Sequence, residues 1–376
     1  MNGKDLTQGS IMGNIMTFSL PYMLAYFLQI LYGLADLFVI GQYCGVDSTT
    51  AVSNGAQVMY MVTVVLIGLA MGTTVLTGRA IGARDPARAR AVVGNTVMMF
   101  AIIAAALMVV LLCLRGWIVG VMDTPAEAVN GMERYLTICF VGIPFIIAYN
   151  IIASIFRGLG DSKSPMHFVA VACVVNIILD YVFIGALGLG AMGAALGTTL
   201  SQAASVMFAL SSIRRHKGVL DISRSDLRPR RDVIKHILKI GLPIALQDGF
   251  IQISFLAITV IANGRGLVDA AAVGIVEKFI GLVFIVPSTM LSTVSAISAQ
   301  NIGAAKMPRA KQTMRSAMLI TSVYGLVMAT ALQFIPQLAV GLFTSDPQVL
   351  AQGSDYLRGY VWDCIFAGVH FCFSGF

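Results

Sequence analysis

The chain has 376 residues, of which 57% are hydrophobic and only 11% charged, and its formal net charge is +7. A soluble domain carries roughly 25% charged residues, and surface area shrinks too slowly with size for a soluble protein of this length to hide so much apolar surface. With a mean hydropathy of +0.84, an ordinary cytosolic enzyme, a disordered chain and a secreted disulfide scaffold are excluded; an all-α, polytopic membrane protein remains. The six cysteines form no Cys-x-x-Cys pair and the four histidines have no metal-ligand spacing. A phosphate loop and a Gly-x-Ser-x-Gly nucleophile elbow are both missing, so the sequence reads as no enzyme, with no cofactor and no metal site.

A helix needs about 20 mostly apolar residues to cross the hydrocarbon core. Ten segments meet that test: 14–40, 55–78, 91–114, 135–156, 166–187, 191–213, 240–263, 270–298, 314–336 and 352–376. The first lacks a short apolar core followed by a cleavage site, so it is read as a retained span. With the amino terminus placed in the cytoplasm, twenty Lys and Arg residues fall on the cytoplasmic side and four on the other, with Lys278 inside a span. That asymmetry follows the positive-inside rule and supports ten spans in this register; the expected location is the cytoplasmic (inner) membrane. The one long polar stretch, 214–239, holds nine of the basic residues. It reads as a connector between a six-helix lobe (1–213) and a partial lobe of four spans (240–376), and not as a nucleic-acid contact.

The two lobes repeat one another. Leu20-Pro21 matches Leu242-Pro243 at an offset of 222. Ala51-Val52, Ile81-Gly82-Ala83, Arg88-Ala89 and Tyr135-Leu136 recur at 221 as Ala272-Val273, Ile302-Gly303-Ala304, Arg309-Ala310 and Tyr356-Leu357. Five matches in order indicate a duplicated unit, and an even number of spans between them makes the copies parallel. On equal copies the second would run to near residue 442, so the sequence reads as truncated by about two spans, unstable alone and inactive.

A carboxylate near the bilayer centre costs at least about 2.5–3.5 kcal/mol and marks an ion or substrate path. Five candidates fall in spans: Asp36, Asp180, Asp248, Glu277 and Asp363. Asp36 is either a proton carrier or a hydrogen-bonding group near the outer interface. Asp180 follows Asn176 by four residues, which puts both on one helix face. Glu277 and Lys278 are adjacent and so do not face each other. Tyr32, one turn before Asp36, and Gln247 are assigned to the substrate cavity. The abundant Met and Phe residues suit an adaptable binding surface. Pro21 and Pro243 are expected to bend their helices. The glycines at 185, 188, 190, 193 and 197 are assigned to helix packing.

The segments ADLFVIGQYCG (35–45), LAMGTTVLTGRAIGARD (69–85), FRGLGDSKSP (156–165), NIILDYVFIGALGLGAMGAALGT (176–198) and VSAISAQNIGAAK (294–306) together resemble the MATE (multidrug and toxic compound extrusion) transporters. The combination of Asp36 and Asp180 most resembles the proton-coupled, DinF-like bacterial and archaeal branch. The resemblance implies twelve spans in two six-helix lobes that open as a V. It implies export of drug-like, often cationic amphiphiles in exchange for protons or sodium ions. Asp36 then takes the place of the first-span coupling acid, with Asn176 and Asp180 lining the same cavity. The glutamate of the sodium-coupled branch belongs near Ile251 or Gln252, where this chain has no acid. Asp363 falls near the family's second-lobe acid, and Asp248 and Glu277 are further ion candidates there. The implied partners are a small drug-like substrate and membrane lipids, with the protein a monomer. A lipid-linked oligosaccharide flippase is the first rival; its pyrophosphate would call for several cations, and only Lys278 lies in a span. A receptor or channel without carrier activity is the second.

Overall fold

The computed structural model describes residues 5–215, 221–223 and 225–376. Lys4, and His216, Lys217 and Arg224 of the expected connector, lie outside the described residues. The first copy comprises α1 (Ile11–Tyr43), α2 (Val46–Gly82), α3 (Pro86–Val121), α4 (Ala126–Val141) and α5 (Ile143–Gly158). It continues with α6 (Lys163–Asp180), which runs into a π-helical segment (Tyr181–Ala186), and α7 (Gly190–Arg215). The second copy comprises α8 (Arg231–Arg265), α9 (Leu267–Val283), α10 (Ile285–Gly303), α11 (Met307–Phe334), α12 (Pro336–Gly341), α13 (Pro347–Tyr360) and α14 (Asp363–Gly375). The starts obey local chemistry: Ser10 caps α1 by accepting from Gly13 N–H, and Asp85 caps α3 ahead of Pro86.

Eight helical stretches among the described residues are long and apolar enough to cross a membrane, and the pair α4–α5, bent by 49°, makes a ninth. The expected tenth span, 352–376, is instead divided between polar α13 and the short apolar α14. The connector is also shorter than the polar stretch implies. Arg231 to Lys239 already belong to α8, and Arg230 N–H bonds to the Asn95 side chain of α3 at 2.6 Å.

The repeat holds to the residue. α9 and α10 together span the register of α2, and α11 with α12 that of α3, both at the offset of 221. Arg84 and Ala305, at matching turns, both take positive φ, at 55° and 57°. The copies differ where proline enters. Pro287 has no N–H for the carbonyl of Val283, so the helix breaks there; the carbonyl accepts from the Tyr324 hydroxyl at 3.0 Å instead. Pro336 separates α12 from α11 in the same way. The matching residues of the first copy are Leu66 and Arg115, and α2 and α3 run unbroken.

The copies meet where small residues let backbones touch. A Cβ on Gly82 of α2 would strike the Gln300 carbonyl of α10, and one on Gly303 of α10 would strike the Arg79 carbonyl of α2. These contacts are images of one another, so a pseudo-two-fold axis passes between α2 and α10. A symmetric pair of hydrogen bonds supports them: Thr74 donates to the Ser154 carbonyl at 3.0 Å, and Ser295 to the Gly375 carbonyl at 2.8 Å. Farther along, α2 packs on α8 through Gly72 against the Ile237 carbonyl, Gly241 against the Leu69 carbonyl, and Gly68 against Ala245.

The segment before α1 locks this end of the molecule. Buried Gln300 accepts from Leu6 N–H at 3.2 Å and donates to the Gly158 carbonyl at 3.0 Å. Lys306 Nζ donates to the Thr7 carbonyl at 2.9 Å, and Arg309 to those of Gln8 and Gly9 at 2.9 and 2.8 Å. A residue stretch ahead of the first copy is thus held by helices of the second.

A buried carboxylate pair and a separate acid at the copy interface

Three helices of the first copy bring the predicted residues together. Asp36 from α1 is 6% exposed, and Asn176 and Asp180 from α6 are 1% and 0% exposed. The side chains of Asp180 and Asn176 adjoin that of Asp36. Thr198 of α7 donates to Asp36 Oδ2 at 3.1 Å. The other Asp36 oxygen, both Asp180 oxygens and both polar atoms of the Asn176 amide are buried without a hydrogen-bond partner. Two adjoining carboxylates in a dry site require a compensating positive charge between them.

Three features of this cluster lie outside the sequence reading. Gly197, assigned to helix packing, has no helix backbone against it: a Cβ there would meet the Asp180 carboxylate, with the Asn176 amide nitrogen 3.7 Å away. Its role is to leave room for the acid. The π-helical segment starts at the residue after Asp180, with Leu187 N–H bonding back five residues to the Val182 carbonyl at 2.9 Å. Such wide turns recur at functional sites, and nothing in the periodicity of NIILDYVFIGA announces one. Thr198 closes the quoted motif 176–198, and only the fold shows that its hydroxyl reaches α1.

Tyr32 stands beside the cluster, its hydroxyl flanked by the side chains of Gln29 and buried Gln202. Tyr135 and Cys139 of α4, both buried, close the same region, with the Tyr135 ring packed under Gly55 of α2.

The second-copy acids do not form one group. Asp248 lies at the middle of α8 and faces the first copy: its Oδ2 is 3.1 Å from where a Cβ on Gly68 would sit, and Tyr26 and Tyr60 stand nearby. Gln247 is turned to α14, accepting from the Ser374 hydroxyl at 2.8 Å. Glu277 accepts from Thr259 at 3.4 Å and borders Tyr356 and Tyr360. Asp363 is exposed at the start of α14, beside Tyr360 and His370, and Lys278 is exposed on α9.

Parallel helical copies that meet along an axis, with eight or nine stretches among the described residues long and apolar enough to cross a membrane, are the architecture of a multi-pass membrane protein. The chain belongs to the MatE family, whose pattern covers residues 21–182 and 243–376; members of this family are transporters, not enzymes. It is 28% identical to the probable multidrug resistance protein YpnP of Bacillus subtilis strain 168 over all of this chain and 84% of that protein. It is 25% identical to the multidrug export protein MepA of Staphylococcus aureus strain NCTC 8325 over 96% of this chain and 80% of that protein. Its fold matches that of a multidrug resistance MATE family transporter of the MOP superfamily solved in an outward-facing conformation. There the TM-score is 0.91 at 24% identity, covering all of this chain and 84% of the other.

Proposed function

We propose that the protein is a multidrug efflux antiporter of the cytoplasmic membrane, with its amino-terminal side in the cytoplasm, that exports drug-like, often cationic amphiphiles in exchange for protons. The observation that carries this reading is the Asp36–Asp180–Asn176–Thr198 cluster, in which three of the four carboxylate oxygens are buried without a partner. A proton entering from the outer side is shared between the two carboxylates, halves their combined negative charge and changes the hold of α6 and α7 on α1. Pro21 gives α1 a place to bend in response. The multidrug relatives support the substrate class. The two lobes, 1–213 and 240–376, act as the moving units, the protein works as a monomer among membrane lipids, and no nucleic acid or organic cofactor takes part.

The same unpaired oxygens suit a sodium ion, which makes the coupling ion the quantity to measure. Ethidium efflux from proteoliposomes is followed under an imposed pH gradient or an imposed sodium gradient, for wild type and Asp36→Asn. Proton-driven efflux lost in the variant supports the reading. Efflux driven by sodium alone replaces the coupling ion, and no efflux under either gradient overturns multidrug export.

A further inference from the structure

Arg115, Arg134, Arg265 and Arg358 lie toward the end of the molecule opposite the amino-terminal segment. Two of them are neutralised locally: Arg265 pairs with Asp269 at 2.7 Å and Arg358 with Asp355 at 3.2 Å. Arg115 of α3 and Arg134 of α4 have no ion-pair partner among the described residues. Both line one open cavity of about 350 Å³, together with Glu133, Thr137, Ile138 and Met192. Arg115 Nη1 donates to the Thr137 hydroxyl at 3.3 Å, and that hydroxyl donates to the Glu133 carbonyl at 2.6 Å. The Glu133 carboxylate lies over α3, with Oε1 3.8 Å from where a Cβ on Gly116 would sit. It stands beside the neighbour of Arg115 and still pairs with neither arginine. Two positive charges and one negative charge thus surround a space instead of closing on one another.

The surroundings of the cavity are those of a lipid-facing surface. Arg115 precedes the end of α3 at Val121, and Arg134 follows the start of α4 at Ala126, by about 9 and 12 Å along the axes at 1.5 Å per residue. Val109, Val110, Leu114, Trp117 and Val121 are exposed apolar side chains on both sides of Arg115 along α3. A cation is costly among hydrocarbon chains and belongs at headgroup level, where Trp also concentrates. An arginine that only reached for water would extend along the helix toward the surface, whereas Arg115 is tied sideways to α4. The repeat shows that the fold does not require these charges. At the offset of 221 the counterparts of Arg115, Glu133 and Arg134 are Pro336, Ser354 and Asp355.

We infer that this cavity binds the headgroup of a phosphatidylethanolamine of the surrounding membrane, with its phosphate between Arg115 and Arg134 and its ammonium group against Glu133. Guanidinium groups suit a phosphate because their planar donors match its oxygens. Glu133 supplies the selection. An ammonium group donates hydrogen bonds that a trimethylated choline lacks, and a phosphatidylglycerol brings no cation to the acid. Ile138 and Met192 give the glycerol end of the lipid an apolar side.

The test is native mass spectrometry of the purified chain, titrated with phosphatidylethanolamine, phosphatidylcholine and phosphatidylglycerol of identical acyl chains. Wild type should bind a first phosphatidylethanolamine about fivefold more tightly than either of the others, a preference built from one matched charge more. Arg134→Gln should weaken that binding about tenfold, as for the loss of one charge-assisted contact. Glu133→Gln should abolish the preference over phosphatidylcholine and still bind both lipids. Arg265→Gln, at the same end but already paired, should change nothing. The variants should melt as wild type does, since Arg134 is exposed and Glu133 is only half-buried. Glycerophosphoethanolamine, the same headgroup without acyl chains, should displace the lipid only at far higher concentration. Equal affinity for the three lipids, an undiminished preference in Arg134→Gln or Glu133→Gln, or an equal loss in Arg265→Gln overturns the site. A preference for phosphatidylglycerol overturns the assigned headgroup, and displacement by glycerophosphoethanolamine at matched concentration overturns the membrane source.

Discussion

Helices α1 and α8 occupy the same place in the two copies and treat their acids differently. At the register set by Pro21 and Pro243, Asp36 matches Ile258, and Asp248 matches Tyr26. The first copy draws its acid inward and seals it with α6 and α7. The second turns its acid toward the first copy, where it lies half-buried against Gly68 of α2. Duplication preserved the backbone to the residue, down to the positive φ of Arg84 and Ala305. The polar chemistry was free to separate because helix register is set by apolar and small residues along the axis, and they hardly constrain which positions carry charge.

The sharpest break of that comparison is to remove the sealed acids. Asp36→Asn and Asp180→Asn should each reduce gradient-driven ethidium efflux to the level of empty vesicles, with melting close to wild type. Wild-type efflux in folded variants would remove the first copy's special role. Gly197→Ala comes next. Its methyl group displaces the Asp180 carboxylate, so efflux should fall severely while stability drops by about 1–3 kcal/mol, the usual cost of overpacking.

Gly82→Ala and Gly303→Ala probe the shared axis. Each places a methyl group against a backbone carbonyl, and each should cost about 1–3 kcal/mol in thermal or denaturant unfolding. Equal losses confirm the pseudo-symmetry; a loss confined to one copy denies it. Tyr324→Phe touches only the second copy and should cost about 1 kcal/mol by orphaning the Val283 carbonyl. Pro287→Ala restores a backbone donor there, so the double variant should lose less than the sum of the singles.

The smallest effect concerns the segment ahead of α1. The Thr7 hydroxyl and N–H hold the Asp5 carboxyl below the usual carboxylate range. A lowered folded-state pKa stabilises the segment at neutral pH, fully above the ordinary value of about 3.9. The stabilisation then fades as pH falls through the lowered value. The protection factors of residues 5–10, corrected for the intrinsic pH dependence of amide exchange, should therefore fall on acidification, and Asp5→Asn should abolish that fall.

Much of this architecture is written in hydropathy and spacing. Nine of the ten expected spans are present, and the offset of 221 predicts which helices correspond. Asn176 and Asp180 share a face because four residues make one turn, and that face does meet Asp36. The rest depends on relations that a linear pattern does not carry. The tenth span falls short because α13 is polar on one side, which an apolarity window averages away; the break between α13 and α14 recurs between α4 and α5. The role of Gly197 is invisible because a glycine that spares a helix and one that spares a carboxylate look alike in sequence. Thr198 and Tyr60 acquire partners only when α7 and α2 are set beside α1. Asp248 was recognisable as costly, but its neighbours come from positions about 190 and 220 residues earlier in the chain.

The hydrogen bond between Leu6 and Gln300 spans 294 residues of sequence. At ordinary synthesis rates the ribosome needs about 15–60 s to cover that interval. Throughout it, Leu6, Thr7, Gln8 and Gly9 wait without the second-copy groups that will bind them. Seven candidate spans precede the one that carries that partner. The lock is therefore a late event in biogenesis, and its closure reports that the last-made half has arrived in register. A quality-control protease that samples this segment would read assembly state from a few exposed residues.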